Sequence, residues 1–265
     1  MALDENQNNS VPESHPRYQS LKFRHKIIEG MKNLVVAEAG LIAHGRGECF
    51  DYILGEKTTQ TAKNAIKAAV AALLLAEKPV ISVNGNVAAL VPNELVTISK
   101  ILSIPLEINL FYHKEGRIKA IKDVLKKAGA INLKGINESK MIEIEGLESN
   151  RRKVEFIAQA DVVMVPLEDG DRTEALKKLN KKVIAIDLNP LSRTALWADI
   201  TIVDNIVRAI PVMIETVNEL KNLNATELSE ILNKFDNKLN IQNTLDLIID
   251  YIERQKLEAF NILKK

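Results

Sequence analysis

The sequence contains few cysteines, few histidines and no excess of either charge, and each shortage excludes a class of protein. Cys49 is the only cysteine among 265 residues, so no intramolecular disulfide can form, which favours a reducing, cytoplasmic location. The four histidines are scattered and lack the spacing of a zinc site. Because 36 basic residues are balanced by 35 acidic ones, no bulk charge would attract nucleic acid or an anionic membrane.

Long apolar runs and glycine-rich nucleotide fingerprints are also absent. The longest apolar run, residues 68–76, is far too short to span a bilayer, and residues 1–18 contain no apolar stretch typical of a signal peptide. No G-x-G-x-x-G follows a predicted strand, and G-E-K-T at residues 55–58 lacks the upstream glycine of a P-loop. We expect neither membrane insertion nor secretion, and any anion site must be built locally.

The arrangement of apolar segments predicts an α/β fold with a mostly parallel sheet and helices on both faces. Short apolar runs without polar alternation are typical of strands buried on both faces, and helical patterns separate them. The predicted strands are residues 79–83, 105–109, 161–165, 182–186 and 199–203. Amphipathic or alanine-rich patterns predict helices at residues 20–33 and 58–77.

The chain is expected to form one domain with helical additions at both ends. Residues 1–14 are mostly polar, rich in Asn, Gln, Glu and Ser with few apolar side chains, which is typical of a disordered leader. Residues 15–265 then form a single α/β domain, with a helical N-terminal part at about 15–78 and a helical C-terminal tail at about 205–265.

Polar loops follow several of the predicted strands, at the edge where open parallel sheets bind ligands. Residues 187–194, D-L-N-P-L-S-R-T, carry more polar chemistry than a simple turn requires, which indicates a binding site. Glu168, Asp169 and Asp171 follow another strand and have two interpretations. In the first interpretation these carboxylates hold Mg²⁺ together with nucleotide phosphates. In the second, Asp171 caps the next helix.

Basic residues with two interpretations occur in three further places. Arg46, between two glycines and near His44, binds phosphate or forms an ion pair with Glu48 or Asp51 in a loop between helices. Lys57 either binds an anion at the start of a helix or is exposed to solvent there. Arg151 and Arg152 form either a basic patch that binds anions or a helix face that is exposed to solvent.

An ordered set of motifs resembles one family of enzymes. The motifs include GLIAHGRGE, FDYILGEKT, PVISVNGNVAALVP, ADVVMVPLEDGDRTEAL and IDLNPLSRTA, within about residues 15–215. They resemble the archaeal 4-phosphopantoate-β-alanine ligase family, also called phosphopantothenate synthetase. The resemblance implies a Rossmann-like core, a homodimer, and ATP-dependent joining of 4-phosphopantoate to β-alanine in coenzyme A biosynthesis. The implied products are 4'-phosphopantothenate, AMP and diphosphate, so an acyl adenylate is the expected intermediate.

The resemblance also implies roles for individual residues. The implied ATP contacts are Arg24, Arg46, Asp187, Leu188, Asn189, Arg193, Thr194, Asn205 and Ile206. Lys57, with Arg151 and Arg152 in reserve, is expected to bind the substrate phosphate, and Lys57, Arg46 and His44 are the candidates for catalysis. Two alternatives remain at this point: a related ligase or kinase for another small carboxylate, and a nucleotide-binding regulator without catalytic activity.

Overall fold

A computed structural model describes residues 11–15, 17–110, 115–144 and 153–262. Within these residues the chain forms one parallel sheet of six strands. The strands are β1 Pro79–Val83, β2 Leu106–Ile108, β3 Leu133–Lys134, β4 Val162–Pro166, β5 Lys182–Ile186 and β6 Ile200–Ile202. They follow the order β3-β2-β1-β4-β5-β6, which is the order of Rossmann-like sheets and confirms the predicted fold class.

Helices cover both faces of the sheet and extend the chain beyond it at both ends. They are α1 Tyr18–Lys32, α2 Glu38–Leu54, α3 Gln60–Leu75, α4 Gly85–Leu90, α5 Pro92–Leu102, α6 Arg117–Lys127, α7 Gly170–Lys178, α8 Arg193–Trp197, α9 Ile206–Leu220, α10 Ala225–Asn233 and α11 Asn237–Ile262. Short 3-10 turns occur at Glu138–Lys140 and Ile157–Gln159. Among the residues described, no helix is both long enough and apolar enough to cross a membrane.

The strands are mostly apolar because each face of the sheet is buried in a different core; their polar residues are Ser82, Glu107, Lys134, Lys182 and Thr201. Met164 and Ile184 belong to one core, whereas Val163 and Val183 belong to a second core on the other face. Successive side chains of a strand point to opposite faces, so a strand that is covered on both sides favours apolar residues at most positions. This packing explains why the strands are predominantly apolar and lack the polar alternation of a sheet with one exposed face.

The alanine-rich segment forms α3, as predicted, and packs deeply inside the larger core. Thr59 caps the helix, since its hydroxyl accepts a hydrogen bond from the backbone N–H of Ala62 at 3.1 Å. Ala65, Ala69 and Ala71 have no exposed surface. Small side chains let neighbouring helices approach closely, and α9 and α10 pack against this helix.

Two local features differ from the sequence interpretation. The edge strand β3 was not predicted; it has only two residues and pairs with β2 alone. A loop was considered for residues 43–58, but residues 43–54 form the later part of α2, which ends where Gly55 adopts a φ of 81°. Gly45 and Gly47 are tolerated inside this helix at a cost of about 1 kcal/mol each, because the helix packs over the sheet.

Candidate active site at the switch point of the sheet

A cavity of about 590 Å³ lies at the carboxyl edge of the sheet, around the point where the strand order reverses between β1 and β4. Residues after β1, β2, β4, β5 and β6 line it, and α2 covers it. The lining residues are Ala37, Ala39, Gly40, Ala43, His44, Arg46, Gly47, Glu48, Asn84, Gly85, Asn86, Leu90, Leu110, Arg117, Leu167, Glu168, Asp169, Leu188, Asn205 and Ile206. This is where doubly wound sheets bind their ligands.

Helix α2 is held over the cavity at both of its ends. Near its start, the Asn86 side chain donates a hydrogen bond to the carbonyl of Gly40 at 2.9 Å. Near its end, the buried carboxylate of Asp51 accepts hydrogen bonds from Arg208 at 2.6 Å and from the side chain of Asn205 at 2.8 Å. The sequence alternative that paired Arg46 with Asp51 is therefore wrong, because Arg208 is the cation that binds this carboxylate.

Four of the implied ATP contacts meet in this cavity: Arg46, Leu188, Asn205 and Ile206. The Arg46 side chain is exposed and, among the described residues, makes neither a hydrogen bond nor a salt bridge. Asn205 also caps α9 through a hydrogen bond from the backbone N–H of Val207. The cavity therefore has a cation and an amide on the β5–β6 side, which is suitable chemistry for a phosphate and a polar nucleotide group.

The polar loop after β5 is largely satisfied by its own hydrogen bonds. The Asp187 carboxylate accepts from the backbone N–H of Asn189 at 2.9 Å and from the Ser192 hydroxyl at 2.5 Å. Ser192 also caps α8 through the backbone N–H of Ala195. Burial raises the pKa of Asp187, while these hydrogen bonds and the charge of Arg46 oppose that rise. Some of the polar side chains that the sequence assigns to ligand binding, Asp187 and Ser192, therefore stabilise the loop itself through hydrogen bonds.

Arg193 and Thr194 are not among the residues that line the cavity. The Arg193 guanidinium forms salt bridges with Asp171 and Glu174, both at 2.6 Å, on the neighbouring helix α7. The Thr194 hydroxyl is buried and donates to the carbonyl of Glu168 at 2.9 Å. In this conformation Arg193 holds α8 against α7, and Thr194 holds it against the loop after β4. Contact of either side chain with ATP stays a prediction.

Arg24 lies beside the cavity and is paired with a residue that lines it. Its Nε donates to both carboxylate oxygens of Glu48, at 2.8 and 3.0 Å, and this hydrogen bond raises the pKa of Arg24. The sequence alternative that paired Glu48 with Arg46 is wrong, because Arg24 on α1 takes this carboxylate. Glu48 therefore lies between Arg24 and the cavity, and the contact of Arg24 with ATP stays a prediction.

The three carboxylates after β4 do not form a shared metal site. Glu168 is buried against Arg172 at 3.4 Å, Asp169 caps α7 through the backbone N–H of Arg172 at 2.8 Å, and Asp171 pairs with Arg193. In the described part of the chain, no group of three potential ligands is arranged to hold a metal ion. The cap is thus Asp169, where the sequence favoured Asp171, and the binding of Mg²⁺ by these residues together with nucleotide phosphates stays a prediction.

His44 and Lys57, which were both considered for catalysis, lie in different environments. His44 lines this cavity and a neighbouring one of about 360 Å³, and its Nε2 is buried without a hydrogen-bond partner among the described residues. Burial lowers the pKa of His44, Glu48 raises it and Arg24 lowers it. Lys57 is exposed, two residues before the capping residue of α3, and is not among the lining residues. Arg151 and Arg152 lie outside the described residues.

Arg117 is the cavity residue that sequence reasoning missed. It is the first residue of α6, its side chain is buried, and one Nη donates to the carbonyl of Val35 at 3.1 Å. Burial lowers the pKa of this guanidinium. In the sequence it occupies an ordinary position of an amphipathic helix, so only its place in the fold reveals a buried cation at the cavity.

The loop after β1 is tied to the loop after β4. The Asn84 side chain caps α4 through the backbone N–H of Val87 and donates to the carbonyl of Leu167 at 2.9 Å. Deeper in the fold, Arg172 donates to Asn109 at 3.2 Å, and Asn109 donates to Ser82 at 3.4 Å. These buried hydrogen bonds join the ends of β1, β2 and β4, so the floor of the cavity is rigid.

A parallel sheet with this strand order and a polar cavity at its switch point is typical of doubly wound α/β proteins that bind nucleotides. Comparison with known proteins narrows this class. Residues 61–251 match the family described as phosphopantothenate/pantothenate synthetase, and the chain belongs to this family. The match extends into α11, beyond the residues 15–215 in which the motifs were recognised.

Individual relatives cover nearly the whole chain. A protein of Thermococcus onnurineus named 4-phosphopantoate--beta-alanine ligase is 56% identical over 247 residues, which are 92% of this chain and 94% of the relative. The protein of the same name from Thermococcus kodakarensis is 55% identical over 92% of this chain and 94% of its own length. The one from Methanosarcina mazei is 46% identical over 94% of this chain and 98% of its own length.

Proposed function

We propose that the protein joins 4-phosphopantoate to β-alanine with ATP, giving 4'-phosphopantothenate, AMP and diphosphate, as a step of coenzyme A biosynthesis. The names of relatives that are 46–56% identical over most of the chain support this proposal. The observation that carries it is the covered cavity at the switch point of the sheet, with Arg46 and Asn205 on one side and Arg117 on the other. ATP is thus a substrate, and its adenosine and phosphates occupy the β5–β6 side.

The first step joins two anions, so its barrier is mainly electrostatic. A carboxylate oxygen of 4-phosphopantoate attacks the α-phosphorus, a new P–O bond forms, and the bond from the α-phosphorus to diphosphate breaks. The Arg46 guanidinium offsets the charge that the two substrates bring together, and α2 excludes water that would hydrolyse the acyl adenylate. No covalent enzyme nucleophile is needed, and Cys49 is exposed.

The second step transfers the acyl group to β-alanine. The amine attacks the acyl carbon, the bond from that carbon to AMP breaks, and a base takes the ammonium proton. His44 is suited to this task, because it lines the cavity and because burial lowers its pKa, which favours the neutral imidazole that can accept a proton. Arg46 neutralises the departing AMP. Mg²⁺ belongs to this proposal as the counterion that enters with ATP, with Glu168, Asp169 and Asp171 as the proposed nearby carboxylates.

We further propose that the protein is a homodimer in the cytoplasm. Exposed apolar side chains support the dimer: Ile28 on α1 is 43% exposed, Ile42 on α2 is 73% exposed, and Ile249 and Leu257 on α11 are 58% and 73% exposed. A dimer would bury part of this surface. Light scattering at micromolar concentration should give twice the mass of 29.5 kDa, and a mass near 29.5 kDa would contradict the dimer.

One assay separates the proposed reaction from its alternatives. The purified protein is incubated with ATP, Mg²⁺, 4-phosphopantoate and β-alanine, and the nucleotide product is identified by chromatography. We expect AMP and diphosphate in equal amounts, and their formation should require both other substrates. ADP as the product would indicate a kinase or an acyl-phosphate ligase, whereas ATP binding without turnover would indicate a regulator.

Arg46→Ala tests the nucleotide side of the cavity. Loss of a charge-assisted contact of about 1.5–3 kcal/mol should raise the KM for ATP, or lower kcat, by roughly 10- to 150-fold. The thermal midpoint should hardly change, because Arg46 is exposed. An unchanged KM for ATP with unchanged kcat would remove Arg46 from the proposed site.

A further inference from the structure

Asp51 is a buried carboxylate next to the cavity that neither step of the proposed reaction uses. It belongs to α2, the helix that covers the cavity, and its side chain is only 9% exposed. Among the described residues, its side chain accepts hydrogen bonds from Arg208 and Asn205, both at the start of α9. Asp51 therefore joins the covering helix to the edge of the cavity that follows β6.

The amide group of Asn205 is held from two sides. Its Oδ1 accepts a hydrogen bond from the backbone N–H of Val207 at 3.3 Å, and its Nδ2 donates to the carboxylate of Asp51 at 2.8 Å. The first distance is long for a hydrogen bond, so the helix cap alone would hold the amide loosely. The carboxylate can only accept, so the contact with Asp51 fixes which end of the amide carries the N–H groups.

The Asn205 amide still has groups available for a ligand. An amide has two N–H donors and an oxygen with two lone pairs. Among the described residues, Asp51 takes one donor and the backbone N–H of Val207 takes one lone pair. Asn205 lines the cavity on the side where the proposed function places ATP. One donor and one lone pair therefore remain for the hydroxyl groups, the base or the phosphates of the nucleotide.

We propose, on the basis of the ATP binding in the proposed function, that Asp51 is a positioning residue that fixes the Asn205 amide in the orientation that binds ATP. An amide that is held before the nucleotide arrives loses little rotational freedom on binding, so the affinity rises without a new contact. The same carboxylate ties the nucleotide side of the cavity to α2, which carries Arg46.

Arg208 makes this role testable, because it has a second partner. Its guanidinium donates to Asp204 at 2.7 and 3.0 Å as well as to Asp51. Removal of Asp51 therefore leaves Arg208 paired with a carboxylate and avoids an isolated buried cation. The loss of the acceptor for Asn205 is then the main change at the cavity.

The test is a double-mutant cycle on ATP binding. Isothermal titration calorimetry measures the Kd of the full-length protein for ATP with Mg²⁺, without the other substrates. We expect Asp51→Ala to raise this Kd by about 3- to 10-fold, the cost of ordering one side chain on binding. In the Asn205→Ala background, the same substitution should raise the Kd by less than about twofold, because the amide that Asp51 orients is gone. Equal factors in the two backgrounds would overturn the proposal.

A matched control separates positioning from stability. The Thr58 hydroxyl donates to Asp204 at 2.6 Å in the same cluster, but its side chain does not contact Asn205. Thr58→Val and Asp51→Ala should both lower the thermal midpoint, whereas only Asp51→Ala should raise the Kd for ATP. An equal rise in Thr58→Val would refute the role of Asp51, since the whole cluster would then act through stability.

A second variant and the AMP assay complete the test. Asp51→Leu fills the volume without an acceptor, so it should match Asp51→Ala and replaces it in the cycle if the alanine variant does not fold. A wild type that binds ATP and shows the expected cycle but forms no AMP would refute the proposed reaction and support the role of Asp51. AMP formation with equal factors in the cycle would refute only Asp51, and no ATP binding by the wild type would refute both.

Discussion

Replacing Arg208 with methionine should destabilise the protein strongly, because Arg208 is the cation that pairs with two buried carboxylates. Its guanidinium donates to Asp51 at 2.6 and 3.1 Å and to Asp204 at 2.7 and 3.0 Å. Asp51 lies near the end of α2, and Asp204 follows β6, so the cluster joins the covering helix to the sheet. Burial raises the pKa of Asp204, while Arg208, the Thr58 hydroxyl and the backbone N–H of Asn205 oppose that rise.

The size of the effect follows from the exposure of the three side chains. Arg208 is 25% exposed, whereas Asp51 and Asp204 are 9% and 0% exposed. Breaking a buried ion pair costs about 3–5 kcal/mol, and breaking an exposed one costs about 0–1 kcal/mol. Methionine keeps much of the volume, so the loss comes mainly from uncompensated charge. We expect the free energy of unfolding to fall by about 3 kcal/mol, near the lower end because Arg208 reaches solvent.

The loss should depend on pH in a defined direction. Without Arg208, the pKa of the folded Asp204 carboxyl rises further above its unfolded value, because the opposing charge of Arg208 is lost. In the variant, stability is therefore greatest below the unfolded pKa and is lost as the pH rises through the folded pKa. The difference from wild type should be smaller at pH 4 than at pH 7.

Urea unfolding followed by circular dichroism at both pH values measures this difference. Lys119→Met is the matched control, because it breaks an ion pair with Asp123 whose side chains are 80% and 57% exposed. It should cost less than about 1 kcal/mol. A loss of that small size for Arg208→Met at pH 7 would refute the reasoning, since the carboxylates would then be screened by solvent in spite of their burial.

Three further predictions concern a glycine, a carboxylate and an arginine. Gly85→Ala should cost at least about 2 kcal/mol in urea unfolding, because its Cβ would overlap the Val35 carbonyl, whereas Gly45→Ala, with open space in α2, should stabilise by roughly 0.5–1 kcal/mol. Burial raises the pKa of Asp161, but backbone N–H donors at 2.7–2.9 Å outweigh it and lower the pKa. Its contribution to stability should therefore be present above about pH 4 and disappear as the pH falls further, and Asp161→Asn should flatten that part of the pH profile. Arg193→Ala should raise the KM for ATP with little change in thermal midpoint; an unchanged ATP KM would assign Arg193 only to its pairs with Asp171 and Glu174.

Most of the sheet was predictable because burial on both faces leaves a strong local pattern. The predicted strand at residues 182–186 coincides with Lys182–Ile186, and the one at 161–165 differs from Val162–Pro166 by a single residue at each end. Strand β3 was missed because two half-buried residues, Leu133 and Lys134, are too few to show a period. Its existence depends on hydrogen bonds to β2, which no local pattern reveals.

The second half of α2 was harder to predict because local and tertiary preferences conflict there. Gly45 and Gly47 lower helix propensity and led to the loop alternative. The helix forms because its end is fixed by Asp51, Arg208 and Asn205, and because Gly40 packs against Asn86 at its start. Those partners are distant in sequence, so their contribution could not be read from residues 43–58 alone.

The sequence by itself determined the alternation of strands and helices, the family, and the edge of the sheet at which polar loops collect. These properties depend on residue order and on periodicity within short segments. Only the tertiary structure decided that β1 lies beside β4, which brings Arg46, Arg117 and Asn205 to one cavity. It also decided that Asp187 is bound within its own loop and that Arg193 pairs with α7. The physical reason is that a charged side chain takes whichever partner the packing brings within hydrogen-bond distance, and that partner is set by strand order and not by chain order.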